Sequence, residues 1–340
     1  DTGMKVHVAG ENDTVDIYRW MGHIKIIDMA GIAPIEVAHM LNADPRYCVR
    51  DGGPFPVRIV WAQSKGNSGF FTRGDSKIKT PRDIKPGIRI CRMTYVKTMR
   101  NVDGLLAWAG VSHDDIVWVD VNDSVENYQT VIDGRADIAS GYPSALAMLE
   151  AEKNPCGLGW IDLNAEADPE GAKRFRNVDP QATFGPVYSG VASAIGIWGV
   201  TGINFEQTRS ETDPSLVYNL AKWFDENYTR FKDTHPSNRF RNRETLMEGL
   251  RHTFLPCHEG LIEYLKDIGV WTPAHDIRQQ ENQELVNRYA AAYQECMFKA
   301  DEKKIWVARE SEEWLKLWND YREANLREFT PFYDLPGVTA

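Results

Sequence analysis

The chain has 340 residues, 42% hydrophobic and 26% charged, enough apolar material for two lobes with cores of their own and nothing that suggests disorder. Its formal net charge of −10 argues against a nucleic-acid or anionic-membrane partner, because both draw affinity from clustered Lys and Arg. No stretch approaches the roughly eighteen consecutive apolar residues of a membrane-spanning helix, and no signal peptide is visible at Asp1–Met4, as expected of a processed or truncated form.

In chain order, Lys5–Gly10 alternates like a strand, and Asn12, Asp13 or Thr14 can cap a helix carrying Val15, Tyr18 and Met21. Strands are expected at Ile24–Ala30, Val57–Trp61 and Gly69–Arg73, followed by a turn at Asp75–Ile78 and a short helix at Thr80–Ile84. The centre of the chain is the stretch Gly87–Leu149. There Ile88–Cys91, Ile116–Val121 and Ala136–Ser140 read as short buried strands. Between them lie two helices, one with Val102, Leu105, Leu106 and Ala109 on its face and one with Val125, Tyr128, Val131 and Ile132. Strands alternating with helices imply a parallel sheet with right-handed crossovers. Beyond Glu150 come a strand near Gly157–Asp162, another at Val191–Val200, and a helix opened by Asp213-Pro214 that carries Leu216, Leu220, Trp223, Phe224 and Phe231. Helices follow around Thr245–Leu250 and from Leu261 to Gly269. From His275 to Phe329 the composition turns to Glu, Lys, Arg and Ala without Pro or Gly, which reads as two long helices with stripes at Leu285, Tyr289, Ala292, Cys296 and at Trp314, Leu317, Trp318, Tyr321. Those stripes pack on the chain's own core or serve a homodimer through the C-terminal helices.

Cys48, Cys91, Cys156, Cys257 and Cys296 are scattered without ligand spacing, so neither a zinc site nor a redox dithiol is expected. There is no GxGxxG, P-loop, HExxH, GxSxG or kinase motif, and His258-Glu259 lacks a third partner. Binding without catalysis and without a cofactor is therefore favoured. In open α/β sheets ligands lie outside the carboxyl ends of the strands, which singles out the loops Arg92–Thr98 and Gly141–Ser144. Arg92, Thr94, Lys97 and Thr98 sit between a strand end and a helix start, where free N–H groups and the helix dipole favour an anion.

The segment Asp75-Ser76 to Ile90, the helix end Leu106–Val111, Asp133–Asp137 and above all Leu255-Pro256-Cys257-His258-Glu259-Gly260 through Tyr264 to Gly269 resemble, in order and spacing, the TAXI group of TRAP-transporter solute receptors. The resemblance covers roughly Lys5 to Trp271. It implies a two-lobed α/β fold of the periplasmic-binding-protein type II kind, with an appended C-terminal helical segment that has no counterpart. By that likeness lobe 1 is residues 1–86 with 190–272, lobe 2 is 87–189, and 273–340 is the extension. It further implies a periplasmic, extracytoplasmic protein that captures a small organic anion, a carboxylate, between hinged lobes and delivers it to membrane-embedded TRAP permease subunits. By position Glu11, Asn12, Thr14, Trp61, the Arg92–Thr98 loop with Tyr95, and Tyr142 with Ser144 would line the ligand; Trp61 or Tyr95 could stack on a ring. The family's opening strand, Gly-rich loop and helix have no match before Lys5, and Cys91–Lys97 is bulkier and more basic than the small-residue loop of relatives, pointing to a ligand other than glutamate. Two other readings keep the scaffold and change the role. One is a sensor or partner-binding module using the helical extension; the other is an enzyme, such as a lyase, a prephenate-dehydratase-like protein or a pyrimidine-precursor synthase.

Overall fold

The computed structural model describes residues 5–8, 10, 13–93, 96–179, 182–251 and 253–327. Its strands are β1 (Met29–Ile32), β2 (Val57–Arg73), β3 (Arg89–Arg92), β4 (Val117–Asp120), β5 (Ala139–Gly141), β6 (Leu158–Trp160), β7 (Thr183–Pro186) and β8 (Trp198–Arg209). The helices up to residue 178 are α1 (Thr14–Tyr18), α2 (Pro34–Asn42), α3 (Val96–Ala109), α4 (Ser124–Ile132), α5 (Leu146–Ala151) and α6 (Pro169–Val178). Those that follow are α7 (Pro214–Glu226), α8 (Tyr228–Phe231), α9 (Arg243–Leu250), α10 (Glu259–Asp267), α11 (Pro273–Glu302) and α12 (Glu312–Asn325). The fold is mixed α/β. The chain divides into two compact units, the first made of the described parts of Asp1–Ser64 and Asn204–Phe329, the second of Lys65–Ile203. Both divisions fall inside long strands, β2 and β8.

The second unit contains the βαβαβ run expected from Gly87–Leu149. β3 and β4 pair in parallel with Arg89 opposite Val117 and Arg92 opposite Asp120. Ile90 bridges Ile138 in parallel, with Cys91 N donating to Ile138 O at 3.0 Å, which sets the chain entering β5 on the other side of β3. The sheet is not wholly parallel: β5 and β6 both pair antiparallel with β2. One apolar layer holds Val102, Leu105, Leu106 and Trp108 of α3 with Ala172 and Phe175 of α6. The other holds Tyr128, Val131 and Ile132 of α4 with Phe71, Trp160 and Met148. The polar stretch after Glu150 conceals α6, whose small buried face is Gly171, Ala172 and Phe175. Gly171 is required there, because a Cβ would stand 2.0 Å from the Trp108 indole nitrogen. Asp168 caps α6 through Gly171 N (3.1 Å) and also accepts from Trp108 Nε1 (2.9 Å) and Arg82 Nε (3.2 Å).

In the first unit β1 pairs antiparallel with β8, Gly31 opposite Glu206. On β2, Ile59 bridges Cys257 in parallel, with Ile59 N donating to Pro256 O and His258 N to Ile59 O, both at 2.9 Å. The Leu255–Gly260 phrase is thus a structural junction. The His258 imidazole is buried and its Nδ1 caps α10 by accepting from Gly260 N at 3.2 Å. Gly260 lets α10 close on α7, since a Cβ there would lie 2.1 Å from Pro214 O.

The C-terminal stripes are used internally. Ala292, Tyr293, Cys296, Trp314 and Trp318 share one buried cluster with Ala43 and Cys48. Trp318 Nε1 donates to Asn42 O (2.7 Å), Trp314 Nε1 to Cys48 O (3.0 Å) and Tyr293 Oη to Val49 O (2.9 Å). Further along α11, Gln279 exchanges two hydrogen bonds with the backbone of Cys257 (2.8 and 2.9 Å), and Asn282 donates to Thr253 O and Leu255 O.

Several sequence expectations shift. The described residues of Lys5–Gly10 form no strand, and Val6 and Val8 are exposed. The expected strand Ile24–Ala30 becomes β1, starting at Met29, because residues Arg19–Ile24 continue α1 as a π-helix ended by Lys25 in the left-handed region. The two strands at Val57–Trp61 and Gly69–Arg73 are one, β2; the polar segment between them stays extended. The strand expected at Val191–Val200 starts only at Trp198, residues Ala192–Ala194 being a 3-10 turn. On α7 the fully buried positions are Val217 and Ala221, with Leu216 and Leu220 half-buried beside them.

Two outcomes check this account. Trp314→Ala should lower stability by about 3–5 kcal/mol in urea unfolding, the usual cost of deleting a buried Trp; a loss below about 1 kcal/mol would make the extension an ornament rather than part of the first unit's core. The Arg82 and Trp108 hydrogen bonds hold the Asp168 carboxyl down to about 2. Its stabilising contribution is therefore complete above the ordinary carboxyl range and is lost as pH falls towards about 2, so wild type and Asp168→Asn should differ near neutral pH and converge in acid.

Candidate functional site

At the carboxyl edge of the second unit's parallel strands, three chain ends emerge and three helices begin. β3 ends on Arg92 and β4 on Asp120, and their parallel register places them side by side. Arg92 donates through Nε to Asp120 Oδ1 (2.6 Å) and through Nη2 to Oδ2 (3.0 Å), and its guanidinium lies 5.8 Å from the Trp118 ring centre. Both side chains are about half exposed or more. The arginine expected to take an anion therefore already has a carboxylate, and the pair is neutral as it stands. The α4 terminus is also served from within. Asp123 accepts from Glu126 N (2.8 Å), and Glu126 accepts from Asn122 N and Nδ2 (2.8 and 2.9 Å). After β5, Tyr142 and Ser144 are exposed and Ala145 begins α5 without a side-chain cap. Asn127 holds β5 by donating to Ser140 O at 2.8 Å. Thr98 is half-buried in the first turn of α3. Thr94 and Tyr95 lie outside the described residues, and Lys97 belongs to α3, its side chain outside the description.

The first unit holds the other sequence-derived positions. Glu11 and Asn12 lie outside the described residues. Thr14 opens α1 and donates to Glu36 Oε2 (3.1 Å) while accepting from Tyr47 Oη (3.3 Å). Trp61 is a core residue and not a platform: it is fully buried, stacked on Phe224 at 6.3 Å and tilted against Tyr264. Its indole N–H donates to Arg241 O at 3.4 Å.

That contact leads to a cluster sequence reading missed. Arg241 Nη2 donates to Glu206 Oε1 at 2.7 Å, with the guanidinium 5.4 Å from the Phe224 ring centre. Burial pushes the Glu206 carboxyl up, and Arg241 opposes that rise. Gln63, two residues beyond Trp61 on the same strand face, lies over Gly31, whose absent Cβ would stand 2.8 Å from the amide. A glutamate inside a strand whose neighbours are buried was the available signal.

Residues 44–169 match the family model described as NMT1/THI5 like. No curated protein matches. Among solved structures, a periplasmic sulfonate-binding protein of a sulfonate ABC transporter from Methylobacillus flagellatus is 12% identical, covering 91% of this chain and 79% of that one at a TM-score of 0.38. The periplasmic aliphatic sulphonate binding protein of Escherichia coli is 10% identical, with 81% and 74% covered at 0.39. An ABC transporter protein from Parabacteroides distasonis is 12% identical, with 83% and 80% covered at 0.37. Scores this low carry no argument about fold or ligand, which rest on the elements described above.

If the Arg92–Asp120 pair sets the charge of this edge, Asp120→Asn should free the guanidinium and tighten binding of a simple carboxylate probe by roughly tenfold at low ionic strength, losing most of that gain in high salt. Calorimetry showing the same affinity for both proteins would mean that Arg92 does not face the ligand.

Proposed function

We propose that this protein is an extracytoplasmic solute-binding protein that takes a small carboxylate-bearing solute and hands it to a membrane transporter, without turning it over. The observation that carries the reading is the βαβαβ run of the second unit. Its parallel strands end together, and Arg92 and Gly141 stand at that edge, where a sheet of this kind receives small ligands. Arg92, Thr98, Tyr142 and Ser144 are the described side chains assigned to the solute there; Thr14 is kept as a first-unit contact on the strength of the TAXI likeness alone. The Leu255–Gly269 phrase supports the TAXI type of TRAP receptor, while the NMT1/THI5-like match over 44–169 supports a solute-binding chain without that subtype. No helix among the described residues is long and apolar enough to cross a membrane, which is consistent with a receptor acting beside its permease. The burial of the Trp314 and Trp318 stripe leaves a homodimer through that face without its apolar surface.

Thermal unfolding across a library of carboxylates, keto acids and aromatic acids tests the reading. A solute at about a hundred times its dissociation constant stabilises the native state by about 2.7 kcal/mol, a rise of a few degrees for a chain of this size. One chemical class should raise the midpoint, and the solute should be recovered unchanged. A flat library, or conversion of the solute to product, would overturn the proposal.

A further inference from the structure

The first unit carries charged groups at odds with a purely structural role. On one face of its sheet, Gln63 of β2 and Glu206 of β8 flank Gly31 of β1, and Arg241 reaches over from the segment before α9. Each has bonding capacity left over. Arg241 Nε is buried and has no partner. Among the described residues Arg241 takes Oε1 of Glu206 and nothing takes Oε2. Gln63 spends its Oε1 on Ser64 Oγ (2.6 Å), leaving its NH2 over Gly31. Gly31 has no side chain of its own, and the Gln63 side chain takes the space above it, 2.8 Å from where a Cβ would stand.

The chemistry constrains what could fill it. A buried guanidinium N–H without an acceptor is costly, and a ligand oxygen beside it would remove the cost. A bare anion would meet Glu206 as well, and a bare cation would meet Arg241; each gains one contact and suffers one repulsion. The cluster is neutral overall, and its two charges stand 2.7 Å apart at the ion pair. A molecule with both charges on adjacent groups satisfies both sides. We propose that Gln63, Glu206 and Arg241, gathered over Gly31, form a binding cradle for a compact net-neutral zwitterion, one that carries a carboxylate beside an ammonium group. The carboxylate is held by Arg241 and the Gln63 amide, and the ammonium by the free oxygen of Glu206. Phe224, under the guanidinium, fixes its plane for the task. This inference rests on the solute-receptor reading and adds to it, besides the second-unit Arg92 edge assigned above, a first-unit site whose ligand is a zwitterion.

The test is calorimetry of the whole chain with neutral α-amino acids, each beside the carboxylic acid lacking the ammonium and the amine lacking the carboxylate. The expected result is binding of at least one amino acid with each single-charge analogue at least tenfold weaker. Glu206→Gln keeps the side chain's size but removes its charge, and should cost tenfold or more. Gly31→Val pushes the Gln63 amide from its place over the glycine without touching either charge and should do the same, both variants unfolding at wild-type temperature. If either variant does not fold, Gln63→Ala, which removes only the amide, replaces it with the same expectation in direction. Three results overturn the cradle: no amino acid binds, the lone acid binds as well as the zwitterion, or folded Glu206→Gln binds as wild type does. Acids that bind independently of Glu206 but lose affinity in Arg92→Ala would sink the cradle and leave the receptor reading standing, whereas silence from every compound would remove both.

Discussion

Main-chain carbonyls in connecting segments must find donors once they are buried, and in the first unit those donors come from the far end of the chain. Asn42, Cys48 and Val49 have their oxygens taken by Trp318, Trp314 and Tyr293, and Thr253, Leu255 and Cys257 have theirs taken by Asn282 and Gln279. A buried carbonyl without a partner costs on the order of 1–3 kcal/mol, so these segments could not run where they do if the two long helices were absent. The aromatic donors do two jobs at once: the rings fill the space beneath the α2–β2 connection while their polar edges close its hydrogen bonds. The same connection carries Gly53, at φ +78 and with Tyr293 Cε1 only 2.6 Å from where a Cβ would be, so the backbone presses directly on the ring. The helical extension is part of the first unit's core and not a module attached to it.

In the second unit the governing constraint is charge. A parallel register decides which strand-end side chains meet, and here it sets an arginine against an aspartate. The α4 terminus beside it is filled by the chain's own carboxylates at Asp123 and Glu126. An edge with its positive potential already spent on internal partners discriminates among solutes by how well they displace or complement those partners. The first unit's Glu206–Arg241 pair follows the same logic in a drier setting, where burial makes each unshared hydrogen bond count for more.

Much of the second unit was legible because its signals are short-range. Strand, helix and turn residues alternate at close spacing from Ile88 to Ser140, and β3, α3, β4 and α4 appear where their apolar runs put them, with β5 starting three residues later than expected, at Ala139. α2 went unread although Pro34 and Glu36 mark its start, because Ala33 offers no capping side chain and its apolar residues run together at Val37–Leu41. α6 went unread because its buried face is mostly Gly and Ala. For the candidate site, the location of the Arg92 loop followed from strand order, but its partner did not. Asp120 lies 28 positions away in sequence, and only the β3–β4 register brings the two together. Trp61 misled for a related reason: an aromatic in a strand looks alike whether its neighbour is a solute or Phe224. Gln63, Glu206 and Arg241 come from three separate segments and share no local pattern.

The five cysteines, all free, acquire a meaning from their burial. Cys48, Cys91 and Cys257 are almost wholly enclosed, and burial pushes their thiols up to about 12, with Cys296 up to about 11. A thiol that does not ionise near neutrality is a poor nucleophile, so these four react slowly with oxidants and alkylating reagents. Cys156 differs, standing half-buried in the turn before β6 beside Asn154. The native chain therefore comes with a single addressable sulfur, placed on the second unit, to which a spectroscopic reporter can be attached without altering any residue.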